Sequence, residues 1–144
     1  MTIGPEWVVF DTNIWIFGLR QQPEQPACAQ VLTYLPRLHV KIPRQVLREL
    51  QANLHHEEMR EFFRLLHRHP GHTAIHWEPV ELSRIRTYQR RGCKLGDAAI
   101  AAHLEVLDVG TLVSENRDFL CEIRGLPFRV LRAADFLREL GEVE

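Results

Sequence analysis

Trp7-Val8-Val9-Phe10-Asp11-Thr12-Asn13 is the stretch on which the fold turns. Four apolar β-formers in a row, with no polar alternation, describe a strand buried on both faces. Such strands belong to parallel sheets wrapped by helices, and this one stops on a carboxylate. The same pattern recurs downstream. Leu38-His39-Val40-Lys41-Ile42 reads as a second strand, 73–77 as a third, Thr111-Leu112-Val113 as a fourth and Phe128-Arg129-Val130-Leu131 as a fifth. Between them lie helical patterns: 27–35, stopped near Pro36, and a helix opened by Pro43 with Val46, Leu47, Leu50 and Leu54 on one face. Another runs from Glu57 with Met59, Phe62, Phe63 and Leu66 at helical spacing, broken by Pro70-Gly71. A basic helix over 81–91, a small-residue helix over 98–106, a short helix after Asp118 and a terminal helix complete the order. The residues after Asn13 read only as a mixed apolar stretch and a loop holding Pro23 and Pro26.

Strands alternating with helices predict an α/β/α sandwich around a central, mostly parallel sheet. The 144 residues suit one domain spanning 1–144. A chain of this length buries roughly 70% of its unfolded surface, so it needs neither disulfides nor a structural metal. Cys28, Cys93 and Cys121 have no zinc or redox spacing and read as free thiols in a reducing compartment. The N-terminus lacks the pattern of a signal peptide, and no apolar run approaches the ~20 residues of a membrane span. A soluble, cytoplasmic protein is expected. Eighteen basic and nineteen acidic residues leave a formal charge of −1, so bulk charge does not announce a nucleic-acid binder. Arg84, Arg86, Arg90, Arg91 and Lys94, uninterrupted by an acid, nevertheless form a local basic stretch suited either to phosphate contact or to a solvated helix face.

In a parallel α/β sheet, ligands bind beyond the carboxyl ends of the strands at a topological switch point. Acids occur at the positions that rule selects. Asp11 follows the first strand, and Asp118 lies five residues past Val113. Glu49 sits in the helix opened by Pro43, and Asp97 precedes Ala98-Ala99-Ile100-Ala101-Ala102, a run that lets a helix approach the sheet closely. Each acid also has an ordinary explanation as a cap, turn former or solvated helix residue. Converging carboxylates, however, raise one another's pKa values unless a cation compensates. A hard divalent ion, Mg²⁺ or Mn²⁺, is the natural partner of such a cluster, and a phosphodiester its natural substrate.

Asp11-Thr12-Asn13 after an apolar strand, Glu49 in Val-Leu-Arg-Glu-Leu, Asp97 in Gly-Asp-Ala-Ala-Ile-Ala-Ala, and Ser-Glu-Asn-Arg-Asp-Phe at 114–119 together resemble the PIN-domain ribonuclease pattern. The length is similar to that of VapC-type toxins of toxin–antitoxin pairs. The resemblance implies a metal-dependent endoribonuclease acting on single-stranded RNA, with Asp11, Glu49, Asp97 and Asp118 as the acidic, metal-holding set. It implies supporting roles for Asn13, Ser114 and Asn116, an antitoxin partner and homodimerisation. Ser114 keeps a hydroxyl where the family often has threonine. Arg86, Arg90, Arg91 and Lys94 are the expected RNA guides.

Other readings compete. A PIN-like module that binds RNA or protein without cutting would not need all four acids. Met59, Phe62 and Phe63 are explained by core packing or by a partner helix. His67, His69, His72 and His76, with His55 and His56, read as exposed loop and helix-end residues, since no zinc motif accompanies them. No glycine-rich phosphate loop is present, and no cysteine carries a nucleophile signature.

Overall fold

The structure, a computed structural model, describes residues 6–122 and 125–143, without the side chains of 121, 122, 142 and 143. The strands are β1 (Trp7–Phe10), β2 (His39–Pro43), β3 (Thr73–His76), β4 (Thr111–Val113) and β5 (Arg129–Leu131). They form one sheet in the order β3-β2-β1-β4-β5, and every pairing is parallel. Val8 pairs with Val40 on one side and Thr111 on the other, which makes β1 the central strand. The chain steps from β1 to β2 to β3, returns across β1 to β4, and continues to β5. The switch point therefore lies between the carboxyl ends of β1 and β4.

The helices are α1 (Thr12–Leu19), α2 (Pro26–Thr33), α3 (Arg44–Asn53), α4 (His56–Arg68), α5 (Leu82–Arg90), α6 (Leu95–Val106) and α7 (Ala133–Val143). A 3₁₀ turn covers Leu35–Arg37 and a π-helical turn covers Asp118–Glu122. Val8, Val9 and Phe10 point alternately to opposite faces of β1 and all are buried, so helices cover both faces of the sheet. α1, α2 and α7 pack together, α5 packs on α6, and α3 touches both α1 and α6.

α1 is the element the sequence pattern did not reveal. Ile14 and Trp15 are fully buried and Ile16 nearly so, with Phe17 and Leu19 partly buried and Asn13 exposed at the first turn. A helix whose apolar residues run almost without interruption shows little periodicity for a pattern to detect. Gly18 makes this packing possible. A Cβ there would lie 2.7 Å from Leu32 Cδ1 and 2.9 Å from the Cys28 carbonyl, so only a residue without a side chain lets α1 and α2 approach this closely.

Pro43 corrects a local expectation. Rather than opening α3 from within, it ends β2 opposite His76 and stands before the first helical residue in extended conformation. Its ring prefers that backbone and needs no ladder hydrogen bond at the strand's last position. α6 starts at Leu95, three residues earlier than the alanine run, which places Asp97 in its first turn. There the partial positive charge of the helix N-terminus favours a carboxylate. Phe62 is fully buried, with Met59 and Phe63 packed partly against the same core, so the stripe belongs mainly to packing.

Candidate active site

Asp11 ends β1 and caps α1 at once. Its Oδ1 accepts the Thr12 N–H at 2.8 Å, and its Oδ2 accepts the Ser114 hydroxyl at 2.7 Å. The capping explanation and the site explanation both hold, one oxygen each. Asp11 is only 4% exposed. Burial pushes its carboxyl up to about 6, the bonds from Ser114 and Thr12 pull it down, and the charges of Asp97 and Glu49 push it up further.

Beyond β4 the backbone folds around its own polar side chains. The Ser114 Oγ that donates to Asp11 accepts the Asn116 N–H at 2.9 Å. Asn116 then donates from Nδ2 to Asp97 Oδ1 at 3.1 Å, while its Oδ1 accepts the Asp118 N–H at 3.0 Å. One short loop thus orients three of the four acids. Asp97 is half-buried, on the face of α6 whose Ala98, Ala101 and Ala102 are fully buried. Its carboxyl is raised, first by burial and then by repulsion from Asp118 and Glu49, against the bond from Asn116 and the charge of Lys94. Lys94 Nζ stands 3.6 Å from Asp118 Oδ2 on a largely exposed side chain.

Glu49 arrives from α3. Its Oε1 accepts the Thr12 hydroxyl at 2.5 Å and its Oε2 accepts Gln45 Nε2 at 2.9 Å. A Cβ on Gly96 would come within 2.8 Å of the same Oε2. Thr12, Gln45 and Gly96 are the positioning residues the sequence reading did not assign. Gln45 left a signal, four residues before Glu49 and therefore beside it on the helix. The approach of Gly96 left none, because it is made by the packing of α6 on α3.

The structure thus gathers Asp11, Glu49, Asp97 and Asp118, with Ser114 and Asn116 between them. Asn13 is not gathered: it is exposed and its side chain makes no hydrogen bond among the described residues. Of the expected basic guides, Lys94 reaches the cluster. Arg91 lies over the Tyr88 ring and donates to the Gly125 carbonyl, and Arg90 Nε donates to the Arg86 carbonyl, on exposed surface.

Every donor in the cluster is an oxygen, the chemistry a hard divalent ion selects, and the mutual repulsion is what a cation would relieve. Among the described residues no three His, Cys, Asp or Glu side chains stand close enough to ligate one ion together. A cation here fits as one held in part through water, as Mg²⁺ usually is.

The other chemistry-bearing residues do not assemble a second centre of this kind. His55, His56 and His67 are exposed as expected, but His72 and His76 are half-buried. His72 Nδ1 lies 2.8 Å from the Leu38 carbonyl and its ring stacks on His39, because both flank the β2–β3 pairing. Cys28 and Cys93 are buried free thiols, with burial pushing Cys28 up to about 11 and raising Cys93, conditions that disfavour the nucleophilic thiolate. The side chain of Cys121 lies outside the described residues. Among the described residues no helix is long and apolar enough to cross a membrane.

No protein-family model and no curated protein matches the chain. Solved structures do. The chain is similar to one in a toxin–antitoxin complex from Klebsiella pneumoniae, with 23% identity and a TM-score of 0.60 over 88% of this chain and 97% of that one. It is similar to one in VapBC2 from Rickettsia felis, crystallised with a DNA fragment from their promoter, with 20% identity and a TM-score of 0.59 over 86% and 98%. It also matches PAE2754 from Pyrobaculum aerophilum over 99% of both chains, with 17% identity and a TM-score of 0.60. Likeness at these identities establishes the fold, and it is the PIN-like α/β architecture its four motifs led one to expect.

Proposed function

We propose that this protein is a metal-dependent endoribonuclease that hydrolyses phosphodiester bonds of single-stranded RNA, and that it serves as the toxin of a toxin–antitoxin pair. The observation that carries the chemistry is the convergence of four carboxylates from four separate elements at the switch point, with Asp11 held near 6 by burial and by its acidic neighbours. Asp11 is buried and the other three acids are half-buried, a set that is costly unless a cation offsets its charge.

Asp11, Asp97 and Asp118 would hold Mg²⁺ or Mn²⁺, directly or through water. When bound, the ion would supply an activated water and neutralise charge growing on the phosphate. The chain's own residues do the rest. Ser114 fixes the rotamer of Asp11, and Asn116 that of Asp97. Thr12 and Gln45 hold Glu49 by one oxygen each, and from there it would ligate a second ion or orient the attacking water. Lys94, beside Asp118, meets the phosphate from the solvent side.

The toxin role is supported by the likeness to chains of toxin–antitoxin complexes. From it we also infer an antitoxin partner, and from the motif resemblance a homodimeric assembly. The test is a 5′-end-labelled single-stranded RNA incubated with purified protein and Mn²⁺. Cleavage is expected to fall at least about 100-fold in Asp11→Asn, the order seen when an electrostatic catalytic group is lost, and to stop on chelation. RNA that is bound but never cut identifies the non-cleaving module instead. Equal cutting by wild type and Asp11→Asn would remove Asp11 from the chemistry.

A further inference from the structure

Beside the acidic cluster, on the β2–β3 side, α3 presents a second site of opposite charge. Arg44 and Arg48 lie one turn apart and, with Gln45, Val80, Ile85 and His103, line a half-open cavity of about 210 Å³. Gln45 is shared between the two places: it lines the cavity while its Nε2 holds Glu49. No carboxylate stands within ion-pair distance of Arg44 or Arg48 among the described residues. Glu78 pairs with neither arginine, its Oε1 lying 3.3 Å from both His103 Nε2 and His76 Nδ1. Two guanidinium groups are thus left to a mobile anion.

Arg44 is also held in place. Its Nη1 donates to the Trp77 carbonyl at 2.8 Å, and its guanidinium lies 4.5 Å from the centre of the Trp77 ring. Trp77 itself remains 45% exposed, an unusual surface for a tryptophan. A planar cation stacked on a half-open indole, next to a second cation, is the pairing that grips single-stranded nucleic acid: charge for the backbone, a π-face for a base. The size of the cavity narrows the choice. It equals roughly seven water volumes, below the ~300–1,000 Å³ of small-molecule and cofactor sites. It admits a phosphate with part of its ribose, and its open side lets a strand run on.

We propose that Arg44, Arg48 and Trp77 form a subsite for a phosphate and base of the RNA strand next to the bond being cut, coupled to the acidic cluster through Gln45. The proposal rests on the ribonuclease reading above. It adds a grip on α3 to the basic stretch at Arg86, Arg90, Arg91 and Lys94 that the sequence offers.

Steady-state cleavage of a 12-nucleotide single-stranded RNA with Mn²⁺ tests it, alongside anisotropy of the same RNA on an Asp11→Asn background. Arg44→Ala/Arg48→Ala is expected to raise KM about tenfold with kcat changed less than about twofold, as loss of uniform binding does. The slope of log affinity against log salt should shrink by about 0.7, for one phosphate contact to a single strand. Arg48→Glu, at an exposed position on the cavity rim, should act in the same direction. Wild type that cuts RNA while the α3 variants keep its KM and salt slope overturns the subsite alone. Protein that neither binds nor cuts RNA overturns the subsite and the ribonuclease reading together.

Discussion

Asp11 divides its two oxygens between holding the fold and building the site, and the cost is visible in its acidity. The folded protein keeps the Asp11 proton up to about pH 6, whereas the unfolded chain releases it near 3.8. The folded state therefore binds more protons between these values, and stability is lost as pH rises from about 4 to 6. In metal-free protein on the order of 3 kcal/mol is missing at neutral pH from this group. Asp11→Asn, which keeps a capping oxygen, should unfold at higher denaturant than wild type at pH 8 in chelator, with a smaller difference at pH 5. A difference that does not grow with pH would refute the burial account. Gly96→Ala separates site from scaffold in the other direction. Its Cβ would press on Glu49 Oε2 while improving helix propensity. Ribonuclease activity should fall about tenfold or more through misplacement of Glu49, with the melting temperature unchanged or raised. Asp11 and Asp118 were readable as acids beyond strand ends, whereas Glu49 and Asp97, inside helices, were singled out by the motifs around them. Thr12, Gln45 and Gly96 were not, because their roles are distances between elements that no local pattern encodes.

The helices show where local pattern suffices and where it fails. α3 and α4 expose one face and declare themselves by spacing, whereas α1, apolar from Ile14 to Leu19, reads as an unassigned apolar stretch. α4 also reveals a link that composition hides. Glu58 accepts the His55 N–H at 2.8 Å at the start of the helix and pairs with Arg20, beyond the end of α1, at 2.7 Å. Arg20 is the largest of the causes that bring Glu58 down to about 2. Since the unfolded value is 4.5, this contribution is present above about pH 4.5 and disappears as pH falls toward 2. Glu58→Gln should cost about 1 kcal/mol at pH 7, measured by denaturant unfolding, and the difference from wild type should close below pH 3.

The sheet order explains why the site is where it is and what would steady it. Two halves of the chain meet on β1, and the acids stand on the edge between them. A cation held there, in part through water, would stabilise the folded state only. At Mn²⁺ a hundredfold above its dissociation constant, wild type should gain about 2.7 kcal/mol, roughly 6–10 °C in melting temperature for a chain of this size. Asp11→Asn should gain little, and equal gains in both would place the ion elsewhere. The parallel architecture could be anticipated from apolar runs and intervening helices, but the return of the chain across β1 is a matter of topology that no run of residues spells out. That return has a consequence during synthesis. Ser114 reaches back 103 residues to Asp11. On a ribosome adding ~5–20 residues per second, the first acid waits several seconds or more for the loop that completes its surroundings. Polypeptides released before that loop emerges lack Asp118 and the two side chains that orient Asp11 and Asp97. The first acids are therefore made long before anything holds them in register, and the cleft closes its chemistry only when the loop after β4 arrives.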